Sequence, residues 1–515
     1  MLLTCGTRMS LAQLQQPFRF EQEIKNSEDG FTVISLKKEG LALVRDMKKY
    51  AKGKSKWQLE IIDTTLTKVW STELDLDSKL SLVGYEYAPQ FVYLLFREGE
   101  SDYYSFRLLT VRFYDKVIES SEIKFEVNFK MTHFTMAGNN AVFGGYVSNE
   151  PAVLLYDQAS DHPKVLPGLF ANDIKLLDVR ANQNQSFNVL LTERKGPDKK
   201  RLMLRTYDHD GNLLIDDIID VDPKYTILAG LTSSLERDEM IIAGTYGEGG
   251  IKQALGVFSV VVDPFNDQPI SYTDFCSLEH FLDYLSPRKA EKIKVRAQRQ
   301  KTLGRLPDYK TYIVPLRIEE TPKGFYLLME SYYPSSNLNS YTYNSSYYNP
   351  TGYGYYPYGI NPYSNRYYNS PYMGNGPARN SDVRMIESIV VKLDLSGKPE
   401  KDHSMTLDEM RQSGLEQVGD FAIVGDSILL AYKKEDEISY GKETHDQDLK
   451  PVFHQLKLTM KSSNDVLKNE NESEGGLRFW YGNSFYVWGY ETIKDATRAG
   501  DQSRHVFYIN RISAE

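Results

Sequence analysis

Glu60-Ile61-Ile62-Asp63-Thr64-Thr65-Leu66-Thr67-Lys68-Val69-Trp70 decides the fold. It reads as an apolar strand ending in Asp, a short turn, and a second strand. The device returns in Arg112-Phe113-Tyr114-Asp115, Leu154-Leu155-Tyr156-Asp157 and Arg205-Thr206-Tyr207-Asp208. It returns again in Val261-Val262-Asp263 and Val391-Lys392-Leu393-Asp394. Successive Asp residues stand 52, 42, 51, 55 and 131 residues apart. Four intervals lie near the blade period of radial repeats, about 40–50 residues, and the fifth contains an insertion. Asp suits a turn because its carboxylate accepts from backbone N–H groups two residues on. Asp210-Gly211-Asn212 and Ser396-Gly397-Lys398 add the Gly that hairpins want at positive φ. A carboxylate that recurs once per repeat at a turn reads as structural, not catalytic.

Around each Asp the flanking segments fit a four-stranded blade. In the first unit, Phe31 to Leu36 and Leu41 to Asp46 precede Trp57 to Asp63 and Lys68 to Leu76. Four similar units follow, to Phe275. A sixth begins at Tyr312 and resumes at Met385 beyond a long insertion, and a weakly marked seventh lies between Phe421 and Thr459. The last unit, from Leu477 to Arg511, stops one strand short, and the unassigned segment Phe18 to Lys25 is placed to fill the vacancy. Such a closure leaves few sheet edges free. The expected fold is an all-β single propeller over 17–515 with eight four-stranded blades, seven being the alternative count.

Ile61-Ile62-Asp63 followed by Thr64-Thr65 and by Trp70 resembles the repeat of quinoprotein-type (PQQ-like) propellers. That pattern has an apolar pair, Asp, a Thr-Gly turn and Trp at the start of the last strand. Leu66 stands where the family has Gly, and the other units lack the Trp. The resemblance supports the fold and carries over no cofactor site. Many members of that superfamily without cofactor are envelope assembly scaffolds.

Composition narrows the function. Tyr, at 37 residues, outnumbers Phe and Trp together, which leans towards strands. A formal charge of −9 argues against wholesale nucleic-acid binding, which needs a basic face. Cys5 and Cys276 make no disulfide framework. No apolar run approaches the ~20 residues of a spanning helix. Residues 1–16 read as a tail or as the end of an export signal, since Leu11-Ala12-Gln13 precedes Gln15-Gln16-Pro17. The expected location is therefore exported, periplasmic or outer-envelope associated, with the cytoplasm as the alternative.

Two segments break the repeat. Residues 278–305 read as helical. Leu278, Phe281, Leu282 and Leu285 form an apolar stripe, Ser286-Pro287 gives an N-cap and first-turn Pro, and Gly304 a stop. Between them stand Arg288, Lys289, Lys292, Lys294, Arg296, Arg299 and Lys301, opposed only by Glu291. This helix could dock on an anionic surface, or be a solvated cap whose charges balance acidic loops. Residues 331–381 form a Tyr/Asn/Gly/Ser/Pro-rich tract with almost no aliphatic residues, unable to build a core. Its Tyr347, Tyr348, Tyr353, Tyr355, Tyr356, Tyr358, Tyr367 and Tyr368 are candidate partner contacts, because Tyr gives amphipathic contact area at low entropy cost. The other reading is a self-associating tract with no defined ligand.

Local motifs for chemistry are missing. The eight histidines show neither HExxH nor HxH spacing, and there is no GxSxG elbow. Asp208-His209-Asp210-Gly211-Asn212 has its Gly misplaced for a calcium loop and reads as a hairpin turn. Gly244-Thr245-Tyr246-Gly247-Glu248-Gly249-Gly250 lacks the Lys-Ser/Thr of a phosphate loop and reads as a hairpin loop after Met240 to Ala243. The expectation is a non-enzymatic binding or scaffold propeller for protein partners in a bacterial envelope, without metal, cofactor or nucleic acid. The alternative is a carbohydrate-binding or glycoside-processing propeller that uses the Tyr-rich loop.

Overall fold

The computed structural model describes residues 13–25, 30–99, 105–160, 162–169, 173–196, 199–237, 239–249, 251–334, 383–408, 410–412, 415–425, 427–443, 453–495 and 503–514. Its strands form eight antiparallel sheets, each a four-stranded path of consecutive strands except the last, and Arg411–Gln412 adds a short fifth strand to one of them. In chain order, blade 1 covers 32–77, blade 2 80–124, blade 3 129–165 and blade 4 174–221. Blade 5 covers 226–274, blade 6 312–406 and blade 7 419–457. Blade 8 takes 465–514 and receives Leu14–Glu23 as its fourth strand, which pairs antiparallel with Ser503–Ala514. The count is eight, and the N-terminal strand fills the vacancy.

Five of the six recurring Asp residues accept backbone N–H bonds that close their turns, while Asp115 pairs with Arg112. Asp63 Oδ1 accepts from the N–H groups of Thr65 at 2.8 Å and Thr67 at 2.9 Å. Asp208 accepts likewise from Asp210 and Asn212, and Asp394 from Ser396 and Lys398. Asp157 and Asp263 accept from Ala159 and Phe265. Leu66, where the resembled repeat has Gly, takes the left-handed conformation at φ 62°. The turn survives without its Gly because the Leu66 side chain is buried in an apolar cluster with Phe31 and Ile62.

The chain divides into two compact units, one holding blades 7, 8 and 1 and the other blades 2 to 6. In the second unit each core lies between consecutive blades. Leu95 and Phe106 of blade 2 pack with Phe134 and Phe143 of blade 3. Leu190 and Leu204 of blade 4 pack with Ile242 and Phe258 of blade 5. Such face-to-face packing explains why the strands are short apolar runs.

The first strands of blades 2 to 6 each carry a one-residue register slip: Leu82/Gly84, Met131/His133, Leu176/Asp178, Ile227/Ala229 and Pro315/Arg317. An added residue of this kind is a β-bulge, which bends and twists its strand. The bulges set up backbone contacts that the sequence does not announce. A Cβ on Gly244 would lie 2.1 Å from the Ala229 carbonyl oxygen at the blade 5 bulge. The glycine-rich run expected as a loop is therefore strand through Gly247, since Met240–Gly247 is the second strand of blade 5. Its Gly244 serves close approach, not a turn.

In the first unit a buried ionic network holds the closing strand. The Arg19 guanidinium pairs with Glu21 at 2.6 Å and Glu491 at 2.7 Å, and lies 4.4 Å from the Tyr508 ring centroid. Tyr508 donates to Glu470, which also pairs with Lys433 at 2.6 Å. The Gln16 side chain bonds both the carbonyl and the N–H of Thr459. The closing strand begins at Leu14, so it takes up Leu14, Gln15 and Gln16 of the segment expected as a tail. The export reading of residues 1–12 lies outside the described residues.

Candidate functional site

Strand direction brings both insertions to one end of blades 5 and 6. Within each blade the first strand starts, the second ends, the third starts and the fourth ends at the same edge. The chain leaves blade 5 after Asp274 and enters blade 6 at Tyr312, and the Tyr-rich tract leaves after Tyr333 and returns at Val383. All four residues therefore share that end.

The segment after Asp274 is anchored by apolar packing first. Leu278, Phe281 and Leu282 are buried against Ile318, Leu327, Met329 and Ile389 of blade 6, and Phe281 stacks on Phe275 with centroids 4.1 Å apart. Polar contacts then fix its backbone. Asp402 accepts from the N–H groups of Glu279 at 2.6 Å and His280 at 2.8 Å, and Ser404 donates to the His280 carbonyl at 2.7 Å. The helix is shorter than the expected 278–305. Residues 278–286 form turns, and the helix, α1, covers Pro287–Thr302. The residue before Pro287 is pushed out of the helical region, and Ser286 has ψ 145°. Gly304, at φ 69°, follows the helix end.

α1 divides its bases between two tasks. Lys301 pairs with Asp274 at 2.5 Å and Lys294 donates to the Glu279 carbonyl at 2.8 Å. These two tie the helix down on the side of buried Ala297. At about 100° per residue, Arg288, Arg299, Lys292, Leu303, Arg296 and Lys289 follow one another around roughly 100° of arc on the opposite side. All six are exposed. Arg296 pairs with Asp308; Arg288, Lys289, Lys292 and Arg299 have no ion-pair partner among the described residues. The five predicted basic contacts thus share one face. The predicted Tyr347, Tyr348, Tyr353, Tyr355, Tyr356, Tyr358, Tyr367 and Tyr368 lie outside the described residues.

Beneath the insertion lies a set of residues that the sequence reading missed. Glu387 is fully buried on the face of blade 6 that carries Met329 and Ile389. Ser331, its cross-strand neighbour, donates to one carboxyl oxygen at 3.3 Å, and the other has no partner among the described residues. Burial, then the nearby carboxyls of Asp402 and Asp283, push Glu387 well above the usual carboxylate range, against the Ser331 bond. Tyr284 and Tyr309, whose hydroxyls are 2.9 Å apart, are also raised, chiefly by burial. Burial pushes the Cys276 thiol up to about 11, which keeps it a poor nucleophile. Nothing in Met385-Ile386-Glu387-Ser388-Ile389 distinguishes Glu387 from a solvated strand residue, because its burial depends on the insertion packed over it.

Among the described residues no group of three or more His, Cys, Asp or Glu could hold a metal ion. No helix among them is long and apolar enough to cross a membrane.

No protein-family model and no curated relative matches the chain. Among solved structures, it is similar to a prolyl endopeptidase at 11% identity and TM-score 0.37, covering 90% of this chain and 53% of that one. It is similar to the β-propeller domain of the Trilobed protease from Pyrococcus furiosus at 9% identity and TM-score 0.34, covering 84% and 93%. It is also similar to the dihydro-heme d1 dehydrogenase NirN at 12% identity and TM-score 0.37, covering 97% and 78%. This chain spans about half the length of the prolyl endopeptidase. These neighbours correct the expected function. The fold occurs in enzymes, so it gives no ground for a non-enzymatic envelope scaffold, nor for the glycan-handling alternative. Likeness at these TM-scores carries no activity over to this chain. The eight sheets establish the chain as an eight-bladed β-propeller.

Proposed function

We propose that α1 gives this propeller a peripheral contact with an anionic surface. The carrying observation is the exposed arc of Arg288, Lys289, Lys292, Arg296 and Arg299, opposite the side of α1 that is tied down. On a chain of net charge −9 this arc is a local reversal of sign. A basic face of this kind attracts anions through complementary potential, while the acidic remainder disfavours other orientations.

The test compares retention on polyanion-coated beads at low salt. Arg288, Lys292 and Arg299→Gln removes three bases of the arc. Each base near an anionic surface contributes about 1 kcal/mol, so retention should fall about 150-fold. Lys49, Lys52 and Lys54→Gln in the blade 1 hairpin changes net charge equally and should leave retention unchanged. Equal losses in both variants would refute a contact located on α1.

A further inference from the structure

The arc of α1 is not uniformly charged. Leu303 lies within it and is 69% exposed, and Val295, about 20° beyond Arg288, is 41% exposed. At the same end of blades 5 and 6, Ile251 is 40% exposed in the turn after the second strand of blade 5. Tyr333, where the second strand of blade 6 ends, is 44% exposed. Isolated exposed apolar residues need no account. Here Leu303 stands between Lys292 and Arg296, Val295 borders the arc beside Arg288, and two more occupy the same end of the blades. A soluble polyanion would be met by the charges alone. A bilayer gives both kinds of residue a partner: headgroup phosphates for the guanidinium and ammonium groups, and the acyl boundary for the apolar side chains. Long Arg and Lys stems also lie along such a boundary with their charged ends in the headgroup layer.

Resting on the proposed contact of α1 with an anionic surface, we infer that this surface is a bilayer of acidic phospholipid, entered by Leu303 and Val295. α1 then lies in the bilayer plane, and the end of blades 5 and 6 that carries both insertions faces the lipid.

Co-sedimentation with vesicles of acidic phospholipid, with zwitterionic vesicles, and with polyanion beads in parallel tests this. The intact chain should pellet with acidic vesicles and not with zwitterionic ones. Val295→Ser with Leu303→Ser changes two exposed side chains, so folding is preserved, which the melting temperature checks. This variant should lose about tenfold in acidic-vesicle binding, from partial withdrawal of a Val and a Leu from lipid, while its bead retention stays at the parental level. Leu303→Trp should show a blue-shifted emission on acidic vesicles. Unchanged vesicle binding by the Ser variant, or no blue shift, overturns bilayer entry and leaves the anionic contact standing. Bead retention without vesicle binding by the intact chain assigns the arc to a soluble polyanion and also overturns the inference. If neither beads nor vesicles retain the intact chain, the anionic contact itself fails.

Discussion

Glu387→Gln should stabilise the protein, and by more as the pH rises. Glu387 is fully buried, with Ser331 on one oxygen, no partner among the described residues on the other, and the Asp402 and Asp283 carboxyls nearby. Burial first, and those carboxyls second, favour its neutral form in the folded chain. The sign follows from linkage. The unfolded carboxyl loses its proton near about 4.3, whereas the folded one keeps it to higher pH. Unfolding then releases a proton, so stability present below about pH 4.3 is lost as the pH rises towards the folded pKa, at about 1.4 kcal/mol per unit. Gln is a neutral isostere that can still accept from Ser331, and it does not titrate. The two proteins should match near pH 4, and the variant's lead should grow with pH until the folded carboxyl ionises. Urea unfolding at several values between pH 4 and 8 measures this difference. Parallel curves for parent and variant, with a constant offset or none, would show that the folded carboxyl titrates normally and would refute its neutrality.

Three further outcomes follow from the packing and the backbone. Arg19→Ala removes the guanidinium between Glu21 and Glu491 and should cost about 3–5 kcal/mol, read as a lower urea midpoint, because both carboxylates stay buried without it. Gly244→Ala should lower the melting temperature, since its Cβ would meet the Ala229 carbonyl oxygen and force backbone movement costing about 1–3 kcal/mol. Lys116→Gly, at an exposed turn with φ 62°, should instead raise it by relieving a left-handed conformation that costs about 1 kcal/mol. A raised melting temperature for Gly244→Ala with a lowered one for Lys116→Gly would show that glycine content, not these local geometries, sets the response.

The candidate site was legible in part. Ser286-Pro287 and Gly304 marked the ends of α1, and the run of bases from Arg288 to Lys301 opposed only by Glu291 was visible before any contact was known. Helical spacing in Leu278, Phe281, Leu282 and Leu285 was not followed by a helix: residues 278–286 are turns whose apolar side chains pack on blade 6 and whose backbone bonds Asp402 and Ser404, more than a hundred residues away. Glu387 was invisible for a related reason. A carboxyl between apolar strand residues looks solvated until another segment of the chain is packed over it.

From the sequence alone came the blade count, the Asp-closed turns, the vacancy for Leu14–Glu23, and the helix with its basic face. Each rests on interactions between residues a few positions apart, or on a repeat of such interactions, so the order of residues carries the information. Only the tertiary structure decided the bulges in the first strands of blades 2 to 6, the use of Gly244 for close approach, the burial of Glu387, and the gathering of both insertions at one end of blades 5 and 6. These depend on which distant backbone or side chain arrives alongside. That is set by how sheets pair and stack, and it leaves no local period to read.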